Sequence, residues 1–329
     1  EPAACTRCYD EERKGITSKR QAESEVFTHF GPDRAKELIR AEGHIELDLR
    51  FVELRLGNLC NVRCRTCNPA SSSQWRNDYK KIEASLDFVT KYGNIDKDEY
   101  KWPEEDNFWD DLFDSAPNLE LVYINGGEPT LIKKHWEYLE KLIVAGRAKN
   151  MTLWYNINMT LMNEKVIDLW KKFDHVKISC SIDDLGDRNH YIRYPTKWND
   201  VEKNFLRLKN EGFEMDITQT VSWMNYSTLG DFYIAFNKKY GTFVHHNYVY
   251  DPDILSPAVL PKEMRDKIHK SFEDVFDKWK LDELKTMFGG PDKPNKWEQA
   301  KEYTRNLDEI RKQNIEDYLP EFKGMITHV

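Results

Sequence analysis

The chain has 329 residues, with 49 lysines and arginines against 57 aspartates and glutamates, a formal net charge of −8; at ~150 residues per domain this allows one large domain or one domain with an appendage. An aromatic fraction of 13% and a hydrophobic fraction of 40% exclude a disordered chain and can supply a sizeable core, and the lack of a long apolar run excludes a membrane-spanning helix. The acidic balance argues against a dominant nucleic-acid-neutralising surface. With no charged, apolar and small-residue series at its start, the chain reads as a soluble, cytoplasmic protein.

Six cysteines carry most of the information, and they are grouped: Cys5 with Cys8, Cys60 with Cys64 and Cys67, and Cys180 alone. A secreted disulfide scaffold would be shorter and denser in cysteine, so metal or redox chemistry is the better reading. The first pair lies in Pro2-x-x-Cys5-x-x-Cys8, followed by Glu11, Glu12, Gly15, Ser18 and Arg20. Two thiols do not complete a four-ligand site. An auxiliary metal site, a zinc knuckle with outside ligands and two idle thiols all remain open.

A strand is expected at Phe51–Leu56, and the trio follows it directly as Cys60-Asn-Val-Arg-Cys64-Arg-Thr-Cys67. Three thiolates at C-x3-C-x2-C spacing on a short loop can converge on three corners of a cubane iron–sulfur cluster and leave the fourth iron without a protein ligand. A structural zinc would want a nearby fourth Cys or His, yet the next histidine along the chain is His135. A zinc loop completed from afar, or unrelated buried thiols, are the alternatives.

The polar, aromatic-rich stretch Asp87–Asp111, with Tyr92, Tyr100, Trp102 and Trp109, reads as an inserted loop. Further strands are expected at Leu119–Ile124, Met151–Ile157, Val176–Ile182, Glu214–Val221 and Thr242–Val249. Helical patterns fall near Lys133–Ala145, Glu164–Lys172, Val201–Glu211 and Ser227–Tyr240. Repeated strand-then-helix order implies a parallel sheet with right-handed crossovers, whose chemistry gathers at the strand C-terminal ends.

Those ends are polar. The second strand runs into Asn125-Gly126-Gly127-Glu128-Pro129, where two glycines allow close backbone approach and the proline stops the strand. The third ends in Asn156-Ile-Asn158-Met-Thr160. The fourth reads Ser179-Cys180-Ser181-Ile182-Asp183, followed by Asp187, His190 and Arg193. Cys180 alternates with the serines and so belongs to a buried apolar layer. The fifth ends Thr218-Gln219-Thr220-Val221-Ser222, close to Asn225, and the sixth contains His245 and His246, which must point to opposite faces. Beyond Asp251-Pro252, Leu255–Pro261 is a proline-marked crossing. Two helical patterns, Lys262–Lys280 and Lys296–Tyr318, are separated by Gly289-Gly290-Pro291, and Phe272, Trp279 and Trp297 mark them as an amphipathic cover.

The trio and its flanks, Leu-Arg-Leu-Gly-Asn-Leu-Cys60-Asn-Val-Arg-Cys64-Arg-Thr-Cys67, resemble the cluster loop of the radical S-adenosylmethionine (radical SAM) enzymes. The resemblance extends, in chain order, to Gly126-Gly127-Glu128-Pro129 and to the S-x-D…H-x-x-R pattern of Ser181, Asp183, His190 and Arg193. It implies an α/β partial (β/α)6 TIM-like barrel at residues 49–250, a short N-terminal Cys-pair segment at 1–48 and a C-terminal helical extension at 251–329. It also implies a [4Fe-4S] cluster on Cys60, Cys64 and Cys67. SAM would be held by Gly126, Gly127, Glu128, Asn158, Ser181 and Arg193, an arginine fork suiting a carboxylate well.

In that family the open iron binds the methionine end of SAM, and one electron cleaves SAM to a 5′-deoxyadenosyl radical that abstracts hydrogen from a substrate. The electron would come from a donor such as flavodoxin or ferredoxin. The N-terminal pair Cys5 and Cys8 is similar to a segment of phage and bacterial radical SAM proteins with twitch or SPASM regions. There cysteine pairs help to hold a second iron–sulfur cluster, and the similarity points to a peptide or protein substrate. Modification of a nucleotide or small metabolite, or a non-catalytic iron–sulfur binding protein, are the competing readings.

Overall fold

Six short runs that alternate side chains between two faces form the strands β1 (Phe51–Arg55), β2 (Leu121–Asn125), β3 (Thr152–Ile157), β4 (His175–Ser181), β5 (Glu214–Val221) and β6 (Val244–Tyr248). The computed structural model describes residues 3–26, 48–91 and 101–326. All neighbouring strands pair in parallel, in the order β1-β2-β3-β4-β5-β6, and the sheet stays open as a partial TIM-like barrel. Each strand connects to the next through helix, as parallel pairing requires. Leu153, Tyr155, Ile157, Ile178, Cys180 and Ile217 lie buried in one core cluster with the apolar side of the Lys133–Val144, Glu164–Trp170 and Trp198–Asn210 helices. The register sets Ser179 beside Asp216 and Ser181 beside Thr218, so a polar row alternates with that apolar one.

A second core cluster lies under the C-terminal helices. Trp75 and Tyr79 from the Arg76–Ser85 region join Tyr191, Trp223, Tyr226, Phe272, Phe288, Trp297 and Phe322 there. Trp223 meets Trp297 and Phe322 edge-on, at centroid distances of 5.4 and 5.0 Å, the arrangement that aromatic quadrupoles favour. Among the described residues, no helix is long and apolar enough to cross a membrane.

The chain divides into two compact units, Glu1–Asp48 and Leu49–Val329. In the first, the helices Thr6–Arg13 and Lys19–Val26 are joined by Ser18, whose hydroxyl donates to Glu12 at 2.5 Å, and by the Arg20–Glu12 ion pair at 2.7 Å. Cys5 and Cys8 are free, half-buried thiols.

Three stretches depart from the sequence expectations. The Asp87–Asp111 stretch is not a continuous loop. Its residues Tyr92 and Tyr100 lie outside the described residues, but Trp102–Glu104 forms a 3-10 turn and Asp106–Ser115 a helix. Phe108, Trp109, Leu112 and Phe113 recur there at helical spacing, hidden among acidic residues, and pack against the core. The Lys262–Lys280 pattern breaks into Lys262–Ser271 and Lys278–Phe288, because Asp277 caps the second helix by accepting from the Lys280 amide at 2.8 Å. Likewise Lys296–Tyr318 becomes Pro294–Arg311 and Ile315–Tyr318, parted at Lys312, whose φ of 54° is left-handed.

Candidate functional site

The loop after β1 is held from within and from across the sheet. Asn58 Nδ2 donates to the Pro69 carbonyl at 2.9 Å and closes the loop at its base. Ser72 Oγ donates to the Val62 carbonyl at 2.5 Å, and Trp75 Nε1 donates to the Cys64 carbonyl at 2.8 Å. Across the sheet, the amides of Arg63 and Arg65 donate to the carbonyls of Tyr194 and Ile192, both at 2.7 Å. These two bonds straddle Arg193. These bonds satisfy the named loop carbonyls and amides and fix the backbone that carries the thiols.

Cys60, Cys64 and Val62 are buried together, with Cys67 half-buried against them. A hydrogen bond from Cys67 favours the thiolate at Cys64, against the cost of burial and with help from Arg193. The same bond, with burial, holds Cys67 in its protonated form. Burial pushes the Cys60 thiol up to about 12. Among the described residues, no three Cys, His, Asp or Glu side chains are placed to hold one metal ion. A cubane needs no such point, since each thiolate binds a different iron.

The turn after β2 is pressed onto this loop. Gly126 and Gly127 have φ of +86° and +48°. A Cβ on Gly127 would lie 2.3 Å from the Leu59 carbonyl oxygen, and one on Gly126 would lie 2.6 Å from Arg55 Cγ and 2.9 Å from the Leu56 amide nitrogen. Only glycine fits either place. The Glu128 amide donates to that Leu59 carbonyl at 2.8 Å. Its buried carboxylate accepts from Thr130 Oγ1 at 2.6 Å and from the Asn158 amide at 2.7 Å. Burial holds its pKa above the ordinary carboxylate value despite these bonds.

Asn158 in turn reaches back to the loop: its Nδ2 donates to Asn61 Oδ1 at 2.8 Å, and Asn61 Nδ2 donates to Thr160 Oγ1 at 2.7 Å. The side chains of Glu128 and Asn158 therefore knit β2, β3 and the cysteine loop together. This is the structural place of two residues that the sequence pattern points to for SAM.

Arg193 Nη1 donates to Asp183 Oδ2 at 3.0 Å, and Asp183 Oδ1 accepts from the Thr220 amide at 2.8 Å. Burial works against the arginine's charge, but Cys64, Asp183 and Cys67 outweigh it and hold the group firmly protonated. Its Nε is buried and has no partner. A buried guanidinium nitrogen without a partner keeps donor capacity to spare. Ser181 stands half-buried at the end of β4. Gln219 and Asn225 both donate to the Asp183 carbonyl, at 2.9 and 2.7 Å, and so serve the scaffold.

Other polar residues have local tasks. His190 Nδ1 bonds the Thr196 carbonyl at 2.5 Å and its ring packs between Tyr194 and Tyr318. His246 Nδ1 meets Gln219 Oε1 at 2.9 Å, and burial drives its pKa down to about 3. His245 is exposed on the other face, with Nε2 3.5 Å from Asp216. Cys180 is fully buried, and burial raises its thiol.

Sequence reasoning missed the groups beneath the loop. Arg65 pairs with Asp308 and lies 3.6 Å over the Tyr191 ring. Asp78 accepts from both Arg63, at 2.7 Å, and Arg311, at 2.9 Å. Their separations of up to 243 residues leave no local spacing to read; two arginines inside a buried cysteine loop were the available sign that distant carboxylates must exist.

These features can be set beside known proteins. A family model, the Radical SAM superfamily, matches residues 54–225, just over half of the chain. An uncharacterized protein of Methanocaldococcus jannaschii is 26% identical over 203 residues, 58% of this chain and 60% of that protein. Native anSMEcpe with bound AdoMet is similar at a TM-score of 0.46 and 19% identity, over 69% of this chain and 59% of that one. Streptococcus suis SuiB bound to S-adenosylmethionine is similar at 0.43 and 14%, over 82% and 59%. The chain spans about 60% of the length of each. With the family model covering the strands and loops that build this site, the chain belongs to the radical SAM superfamily of enzymes.

Proposed function

We propose that Cys60, Cys64 and Cys67 bind the [4Fe-4S] cluster that the family implies, and that the SAM bound there is cleaved reductively to start hydrogen abstraction from a substrate. The observation that carries this reading is the seat of Arg193, gripped by Asp183 on one side, left with an unpartnered Nε, and held charged by Cys64 and Cys67. When bound, the cluster supplies one electron and an iron with an open position for SAM. The chain's residues do the rest. Arg193 offers a planar donor fork to SAM's carboxylate, and Asp183 fixes the fork's plane. Gly126 and Gly127 bring backbone against the cysteine loop at the distance a bound ligand needs. Ser181 presents a hydroxyl at the strand end, and Glu128 with Asn158 hold the turn and the loop in register.

For the substrate we infer a peptide or protein side chain, with the electron delivered by a flavodoxin- or ferredoxin-type donor in the cytoplasm. What supports the peptide is the Cys5–Cys8 segment and its similarity to twitch-type proteins. A second cluster on that pair requires two further ligands beyond Cys5 and Cys8.

Anaerobic reconstitution with iron, sulfide, SAM and reductant tests the reading. The expected product is 5′-deoxyadenosine, and the Cys60→Ala, Cys64→Ala, Cys67→Ala triple variant should lose it together with the ~400 nm absorbance. SAM cleavage surviving in the triple variant would overturn the assignment. Absorbance without cleavage would locate a second cluster at Cys5 and Cys8.

A further inference from the structure

The Pro294–Arg311 helix ends with a charge buried beneath the cysteine loop. The Arg311 side chain is 0% exposed, its Nε donates to Asp78 Oδ2 at 2.9 Å, and neither Nη1 nor Nη2 has a hydrogen-bond partner. Its guanidinium lies 4.6 Å from the Trp75 ring centre and 5.3 Å from that of Tyr194. Both rings belong to the loop's supports: Trp75 Nε1 holds the Cys64 carbonyl at 2.8 Å, and the Tyr194 carbonyl takes the Arg63 amide at 2.7 Å.

Beneath the loop, at Asp78, the charges do not balance. Arg65 is matched by Asp308, and Arg193 by Asp183. Arg63 and Arg311, however, share the single carboxylate of Asp78. One positive charge is left over at Asp78, under the Trp75 ring whose indole N–H holds the Cys64 carbonyl. Burying a guanidinium with two idle nitrogens is costly, and burial already lowers its pKa to about 10. Such a group persists where an anion compensates it, and a cluster held by the cysteine loop above would bring that negative charge.

We infer that Arg311 is a positioning residue for charge: delivered by the C-terminal helices, it supplies uncompensated positive charge to the Cys64 side of the cluster and raises its reduction potential. The inference rests on the cluster assignment above. Reduction adds one negative charge to the cluster, and a fixed cation in a low-dielectric setting stabilises that state more than the oxidised one. Because both groups are buried, salt should screen the effect little. The C-terminal region would then tune when SAM can be cleaved, without touching SAM.

The test is an EPR-monitored redox titration of the anaerobically reconstituted full chain, without SAM, for the wild type, Arg311→Gln, Arg311→Lys and Asp78→Asn. Iron content and circular dichroism confirm each preparation. Arg311→Gln should weaken one-electron reduction at least tenfold, a fall of 59 mV for a one-electron couple. Arg311→Lys should recover most of that loss. Asp78→Asn, which leaves more positive charge behind, should move the potential upward. Opposite shifts in the Gln and Asn variants are the signature that a packing role does not produce.

A wild-type potential in a fully loaded Arg311→Gln variant, or shifts of one sign in both variants, overturns the inference. So does a shift that emerges only when SAM is added. Should Arg311→Gln fail to assemble, Asp78→Asn decides: an upward shift supports the role of charge, and an unchanged or lower potential refutes it. A wild type that gives no four-iron EPR signal would instead refute the cluster assignment itself.

Discussion

Asp183 Oδ2 receives Arg193 Nη1 at 3.0 Å while its Oδ1 receives the Thr220 amide at 2.8 Å, so the carboxylate ties the end of β5 to the arginine that faces the thiols. The pairing makes Arg193 a fixed fork rather than a mobile charge. Arg193→Lys keeps the charge and loses the plane, and it should weaken SAM binding by ~1–3 kcal/mol with iron content unchanged. Asp183→Asn keeps the shape but frees the fork, and it should weaken SAM binding in the same direction by a smaller amount. Isothermal titration of SAM into the reconstituted protein measures both. Full affinity in Arg193→Lys would mean that the guanidinium plays no part in holding SAM.

Gly127 and Gly212 offer a matched pair of substitutions. Both have positive φ, but a Cβ on Gly212 meets nothing within 4 Å, whereas one on Gly127 strikes the Leu59 carbonyl at 2.3 Å. Gly212→Ala should therefore cost only the backbone strain, about 1 kcal/mol, and leave iron loading alone. Gly127→Ala must push the cysteine loop away, and it should lose most of its cluster on reconstitution. Iron-to-protein ratios for the two variants separate local strain from loop displacement.

The cysteine spacing, the glycine turn and the strand order are legible in the sequence because each is a local pattern. C-x3-C-x2-C sits within eight residues, and alternation over five to eight residues marks β1 to β6. Boundaries set by capping are less visible: nothing in Lys262–Lys280 announces that Asp277 will restart the helix until its bond to Lys280 is seen. Least legible are the supports that join distant parts of the chain. Arg65 with Asp308 and Arg311 with Asp78 look like ordinary surface charges until the fold buries them. Glu128 shows the opposite limit. Its motif was readable, but not that its two oxygens accept from Thr130 and Asn158 within the protein.

His135 carries a pH prediction. It is fully buried, with Nδ1 2.7 Å from the Ile132 carbonyl and Nε2 3.1 Å from the Tyr155 hydroxyl, and burial lowers its pKa to about 4. The folded state thus keeps a neutral ring where the unfolded chain is protonated below about pH 6.5. A depressed histidine pKa means that its contribution is fully present above pH 6.5 and is lost as pH falls toward 4. Each pH unit in that window should cost the wild type up to ~1.4 kcal/mol relative to a variant without the ionisable ring. Urea unfolding of wild type and His135→Gln at pH 7.5, 6 and 5 measures the difference. A constant gap between the two curves would show that the ring does not titrate with folding.

Trp109 and Asp110 are neighbours in the Asp106–Ser115 helix, and their environments give opposite expectations. Trp109 is 5% exposed, donates from Nε1 to the Pro103 carbonyl at 2.8 Å and packs 5.2 Å from Tyr138. Asp110 pairs with Lys141 at 2.7 Å, but both side chains are largely exposed, at 62% and 40%. Removing a buried indole leaves a cavity and an unsatisfied carbonyl, so Trp109→Ala should lose about 3–5 kcal/mol of stability. Asp110→Asn breaks a solvated pair and should change stability by less than about 1 kcal/mol. Denaturant midpoints at pH 7.5 check both values. The same contrast bears on the inserted stretch. A deletion reaching Trp109 should unfold the chain, so it cannot reveal whether the stretch takes part in seating a substrate. A small loss in Trp109→Ala would mean that the indole does not anchor the Asp106–Ser115 helix.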